Sequence, residues 1–242
     1  MIQQELLTET HSLHLTFVVP RTQDGPADRR NPDMMRISCA EPTAENLKAV
    51  LGLVQEASGW LWTKDTDQWA KPWPDEQGRD ARVLRGLLKG TTWIVWDGDI
   101  PAATVTITPR KNAAVWSKPG CTCDLAERAV FIHRLITARK YAGQGLGAEL
   151  IDWAGLRGQR LYGAKWIRID VWTTNTGLHD YYVKTGFEPC GFCADPDYPS
   201  GALFQKPVSA VRPSIIPQFM QSPPDQPGTG RQLEPSRLLT LA

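Results

Sequence analysis

Residues Leu135 to Ala148 run from apolar Leu135-Ile136-Thr137 into a turn in which Gly143, Gly145 and Gly147 alternate with Gln144, Leu146 and Ala148. Glycine leaves peptide N–H groups unshielded, and the helix expected after the turn brings its positive end to the same place, so the stretch is built to hold phosphate. It is neither of two common nucleotide fingerprints. A dinucleotide turn needs Gly-x-Gly-x-x-Gly where this chain has Gly-x-Gly-x-Gly, and a P-loop needs a Gly-Lys-Ser/Thr that is absent. Three side chains could handle protons. Asp170 stands near the C-terminal end of a strand-like run, where open α/β sheets place ligands, and partial desolvation there would raise its pKa toward that of a base. Arg168 shares its face, so the alternative for Asp170 is a plain salt bridge. His133 is a rival base that alternates with Phe131, Leu135 and Thr137, the alternative being a satisfied core histidine. Tyr182 could be an acid, although Leu178, Tyr181, Tyr182 and Thr185 share one helical face and either tyrosine could be core.

Composition limits what such a site belongs to. A chain of 242 residues with 41% hydrophobic content can bury one sizeable core, with disordered ends. Its 27 basic and 26 acidic residues leave a net charge of +1, too balanced for a protein devoted to nucleic acid or an anionic membrane. No apolar run reaches membrane-span length and the N-terminus lacks a secretory pattern, so the expected compartment is the cytoplasm. Cys121-x-Cys123 and Cys190-x-x-Cys193 invite a zinc reading. Only the second spacing suits zinc and no histidine stands close to either pair, so reduced, incidental thiols and no metal are expected.

The elements that must position these residues begin at Met34-Met35, either of which could be the translational start. Residues 1–34 include a polar run from Arg21 to Asp33 that cannot offset the entropy of ordering and reads as a flexible extension. Arg36–Cys39 reads as a strand. Thr43 caps a helix with Leu47, Val50, Leu51 and Val54 on one face, and a second helix spans about Asp80 to Lys89. Between them Trp60, Trp62, Trp69 and Trp73 lack periodicity and read as core packing of a long connection, or as a lid over an apolar ligand. Thr91–Trp96 and Ile100–Thr108 form a hairpin through Asp97-Gly98-Asp99. After an unpatterned loop from Pro109 to Glu127 come the strand Ala129–Thr137, the glycine turn and a helix from about Gly145 to Tyr162. In the strand Lys165–Trp172, Ile167, Ile169 and Val171 take one face and Trp166, Arg168, Asp170 and Trp172 the other. A helix from Gly177 to Thr185 stops at Gly186, and short strands fit Phe187–Cys193 and Ala202–Lys206. Residues 207–242 are Pro-rich and expected to be disordered.

This order resembles the GNAT superfamily of acyl-CoA-dependent N-acyltransferases over Met35 to Lys206. Lys140-Tyr141-Ala142-Gly143-Gln144-Gly145 is similar to the family turn Gln/Arg-x-x-Gly-x-Gly/Ala, and Asn175-x6-Tyr182-x3-Gly186-Phe187 to its downstream motif. The resemblance implies an α/β fold with a mixed, mostly antiparallel sheet of six to seven strands, helices on both faces, and a splay between two central parallel strands. It implies acetyl-CoA as cosubstrate, held by backbone groups of Leu135, Ile136, Thr137, Gly143, Gln144, Gly145, Leu146, Gly147 and Ala148, with Asn175 on the CoA arm. It further implies Tyr182 as the acid for the leaving thiolate, and Asp170, where relatives carry a glutamate, as the base. Acyl transfer needs a phosphate cradle, a neutral amine and an acid for sulfur. The expected function is N-acetylation of a primary amine on a small molecule or peptide, with a homodimer left open. The other class is a GNAT-like domain with another acyl donor, or a non-catalytic CoA-binding or regulatory module.

Overall fold

The computed structural model describes residues 35–212 apart from 65, 73, 194, 196 and 197. The expected N-terminal extension (1–34), most of the Pro-rich tail (213–242) and Trp73 lie outside the described residues. The elements are β1 (Met35–Cys39), α1 (Ala44–Trp62), α2 (Glu76–Leu88), β2 (Thr92–Asp97), β3 (Ile100–Thr108), α3 (Ala113–Trp116), β4 (Ala129–Thr137), α4 (Leu146–Tyr162), β5 (Trp166–Val171), α5 (Thr176–Lys184), β6 (Glu188–Phe192) and β7 (Ala202–Pro207). They form one seven-stranded sheet in the order β1-β2-β3-β4-β5-β7-β6. Every neighbouring pair is antiparallel except β4–β5.

Local chemistry sets these boundaries. The Thr43 hydroxyl accepts the Asn46 N–H to open α1, and Asp75 accepts the Gly78 N–H at 2.7 Å to open α2 earlier than apolar spacing indicates. Gly98 turns the β2–β3 hairpin at φ 59°. Helix α1 carries Trp60 and Trp62 on its last turn, correcting the expectation that they belong to a connection. Core packing fails for Trp62, which is 74% exposed, while Trp60 lies under the Arg139 guanidinium at 4.0 Å. The packed unit also runs past Lys206, because Val208 is buried and Val211 leans on the core.

Helices cover both faces. On one, Trp153 of α4 packs on Trp93 of β2, and Leu146, Leu150 and Ile151 share a core with Val130, Ile132, Ile167 and Ile169. On the other, Val83 and Leu87 of α2 and Val50 of α1 pack with Ile94 and Trp96, while Val115 and Trp116 cover Phe131 and Leu203. Helix α4 can approach the central strands because it presents glycines there. A Cβ on Gly158 would stand 2.5 Å from the Val130 Cβ, and one on Gly155 2.5 Å from Ile167 Cδ1. Gly158→Ala is therefore expected to destabilise the fold by about 1–3 kcal/mol. Gly52→Ala, on the open face of α1 with nothing within 4 Å, should instead stabilise by about 0.4–1 kcal/mol. Urea unfolding of the two variants checks both signs.

Candidate active site

The parallel pairing of β4 and β5 is short. It joins Ala129–Ile132 to Trp166–Ile169 and stops, although β4 continues to Thr137 against Ala103 and β5 to Val171 against Ala202. The strands part there, leaving one backbone edge of each unpaired by the other.

The glycine turn closes the far end of this gap. A short 3-10 turn, Arg139–Tyr141, is fixed by the buried Tyr141, whose hydroxyl donates to Asp97 Oδ2 at 2.7 Å. Gly143 and Gly145 then take φ 76° and 80°, the left-handed region that glycine enters without a Cβ clash. Gly145 caps α4 without any side-chain hydrogen bond, so the first N–H groups of the helix, on Leu146, Gly147 and Ala148, are offered outward. A Cβ on Gly147 would lie 3.1 Å from the Tyr181 hydroxyl and 3.5 Å from Thr137 Oγ1. Leu135–Thr137 and Gly143–Ala148 are thus brought to one place, with Tyr181 of α5 leaning over it. Asn175 is used differently: its Oδ1 accepts the Leu178 N–H at 2.9 Å as the cap of α5, and its Nδ2 donates to Gln68 at 2.6 Å. Trp172 and Thr174 both donate to Asp67 beside it, which lowers the Asp67 pKa. The α1–α2 connection is thereby fastened beside the gap.

On the α2 face, Asp170 is held by residues that sequence reasoning did not single out. Trp116 Nε1 donates to its Oδ1 at 3.1 Å and the Tyr198 hydroxyl to its Oδ2 at 2.8 Å. Arg168 does not pair with it but bonds Gln205 and, at 2.7 Å, the carbonyl of Asp124. His133 Nδ1 lies 3.9 Å from Asp170 Oδ1, and its side chain is 24% exposed where that of Asp170 is 3% exposed. The histidine therefore stands on the solvent side of the carboxylate. Burial lowers the His133 pKa, the Asp170 charge opposes that shift, and Arg134 adds to it. Burial and the adjacent Asp170 push the Tyr198 hydroxyl up, keeping it a donor.

Strand β4 also departs from simple alternation. Thr104 pairs with Ile136 and Thr106 with His133, so Arg134 and Leu135 oppose one residue of β3 in a bulge, and Arg134 takes φ 47°. His133 consequently does not alternate regularly with Leu135 and Thr137. Tyr182, 8% exposed, sits with Tyr181 and Phe187 at ring distances of 5.3 Å, and burial pushes its hydroxyl pKa up.

The cysteines correct another expectation. Thr122 donates its N–H to the Cys190 carbonyl at 2.8 Å, which sets Cys123 beside Cys190 with Cα atoms 5.5 Å apart in a disulfide. Cys39, Cys121 and Cys193 are free. Among the described residues no group of three or more His, Cys, Asp or Glu side chains is placed to hold a metal ion. No helix among them is long and apolar enough to cross a membrane.

The structure thus has a gap in a mixed sheet, closed by a glycine turn and bordered by His133 and Asp170. The chain belongs to the acetyltransferase (GNAT) family, whose model matches residues 55–187, and it is an acyltransferase. It is 28% identical over 167 residues to the uncharacterized N-acetyltransferase YesJ of Bacillus subtilis strain 168, spanning 69% of this chain and 87% of that one. Its fold is similar to a GNAT-family acetyltransferase of Streptococcus agalactiae 2603 (TM-score 0.55, 20% identity, 72% of this chain and 95% of that one). It is also similar in fold to the PaiA N-acetyltransferase of Thermoplasma acidophilum (TM-score 0.53, 14% identity, 72% and 98%).

Asp170→Ala would leave the buried Trp116 N–H and Tyr198 O–H without their acceptor, an expected loss of about 1–3 kcal/mol. Asp170→Asn keeps one carbonyl oxygen in place and should lose less; denaturant unfolding that ranks the two equally would separate the carboxylate from this network.

Proposed function

We propose that this enzyme moves an acetyl group from acetyl-CoA to a primary amine by direct attack. The observation that carries the reading is that the parted β4–β5 edges, the uncapped start of α4 and the His133–Asp170 pair meet at one gap. The pyrophosphate would lie on the N–H groups of Gly143 to Ala148, and the pantetheine arm would bond Leu135–Thr137 as a short added strand, with Asn175 beside it. The PaiA structure is a complex with coenzyme A, and this assignment gives the present chain the same class of donor.

The amine must arrive neutral. Because Asp170 is buried with both oxygens accepting hydrogen bonds, and His133 stands between it and solvent, His133 takes the proton and Asp170 stabilises the resulting imidazolium. The role expected of Asp170 alone is thereby assigned to the pair. The amine nitrogen then bonds to the thioester carbon, the C–S bond breaks, and the sulfur takes the proton of Tyr182. A raised tyrosine pKa keeps that proton in place until the thiolate forms.

The base can be assigned by pH. His133 is neutral above a pKa shifted below the ordinary value of about 6.5, so kcat/KM should fall as pH falls through a midpoint under that value. Asp170→Asn removes the charge that opposes the shift and should move the midpoint lower still. If His133→Gln left the acidic limb in place, the proton would belong to Asp170 itself.

Tyr182→Phe should lower kcat by about 10²-fold or more with acetyl-CoA binding unchanged. Equal loss of both would assign Tyr182 to packing. Amine-dependent thiol release together with saturable thermal stabilisation by acetyl-CoA tests the whole reading. Absence of stabilisation at millimolar acetyl-CoA would favour another donor, and stabilisation without amine-dependent thiol release a non-catalytic CoA-binding module.

A further inference from the structure

Arg134 is the strained residue of the β4 bulge, and its guanidinium has no assigned task. The register that pairs Thr92 with Thr106 and Thr106 with His133 puts these side chains on the face covered by α2. The bulge sends Arg134 to that face as well, since its Nη2 lies 3.4 Å from where a Cβ on Gly86 of α2 would be. A glycine in α2 makes the room. Arg134 Nε is buried without a hydrogen-bond partner, and no carboxylate among the described residues forms an ion pair with Arg134. An arginine held at positive φ, with a buried nitrogen unbonded, is costly to keep for packing alone.

It adjoins the residue to which the proton is assigned. Arg134 follows His133 directly in the chain, so their Cα atoms are about 3.8 Å apart. Arg82, one turn before Gly86 on α2, is close enough for its charge to lower the Arg134 pKa, and both arginines lie within electrostatic reach of Tyr198, the residue that holds Asp170. Burial and Arg82 lower the Arg134 pKa to about 10, which still leaves it a cation at neutral pH.

We propose that the acceptor is a small amine that also carries a carboxylate, which Arg134 binds while the amine faces His133. A planar guanidinium fork matches a carboxylate in two parallel hydrogen bonds. Arg134 and His133 are chain neighbours whose side chains both lie on the face covered by α2, so a compact acceptor of the amino-acid type is the simplest one to meet both. The inference rests on the proposed acetyltransferase reading and supplies its substrate class.

The test uses the full chain, acetyl-CoA and matched acceptors: an α- or β-amino acid, its carboxamide, and its phosphonate. Thiol release should give the carboxylate a kcat/KM about tenfold to hundredfold above that of the carboxamide, and also above that of the phosphonate. Arg134→Gly suits the positive φ, so it should fold at least as stably as the parent while that ratio collapses toward one. Arg134→Lys should recover part of the ratio. Binding is read independently as thermal stabilisation by the amino acid over its carboxamide in the presence of CoA, lost in Arg134→Gly. The proposal is overturned if carboxylate and carboxamide serve equally, if the phosphonate is preferred, or if Arg134→Gly keeps the ratio. Failure of the underlying acetyltransferase reading looks different, because acetyl-CoA would then neither stabilise the parent nor release thiol with any amine.

Discussion

The early end of the β4–β5 ladder governs how everything around it is built. Parallel pairing is satisfied from Ala129 to Ile132 and then abandoned, while both strands stay anchored on their outer sides by β3 and β7. Backbone N–H and C=O groups seldom go unbonded away from water, so an interior gap in a sheet persists only where something else meets them. Beyond the gap, Gly143 and Gly145 at positive φ swing the chain into α4, and Gly155 and Gly158 let α4 lie close against the strands beneath it. The gap and the helix start are therefore held in fixed relation by the same core.

The charged residues around the gap are positioned from far apart in the chain. Asp170 receives hydrogen bonds from Trp116, before β4, and from Tyr198, between β6 and β7. The disulfide of Cys123 with Cys190 ties those two regions behind the site. Asp67, from the α1–α2 connection, is bonded by Trp172 and Thr174. The Trp116 and Tyr198 segments and the α1–α2 connection are thus fastened either to the C-terminal end of β5 or to the loop leading from β5 into α5, which makes the end of β5 a hub of the site.

Much of this was legible in the sequence. Strand β4 has the bounds that its apolar run predicts, the glycine turn leads into α4, and the faces of β5 alternate as expected. These features depend on local periodicity and on glycine chemistry, which a single chain displays. The features that stayed hidden depend on pairing. The bulge at Arg134 exists only relative to Thr104 and Thr106 of β3, and nothing in Leu-Ile-Thr or its neighbours announces it. Trp116 gave a faint signal, since Asn112 ahead of two alanines can cap a single turn of helix, as it does here at 3.2 Å from the Ala114 nitrogen. Tyr198 gave none. Arg168 misled because shared strand faces allow a salt bridge without requiring one, and Gln205 on β7 claimed it instead.

If the gap and the uncapped helix start together seat acetyl-CoA, amide hydrogen exchange will register both at once. Addition of saturating acetyl-CoA should slow exchange at Leu135–Thr137 and at Leu146–Ala148 together, while β1 and β2 remain unchanged. Slowing confined to other segments, or no slowing at saturating acetyl-CoA, would contradict that seat.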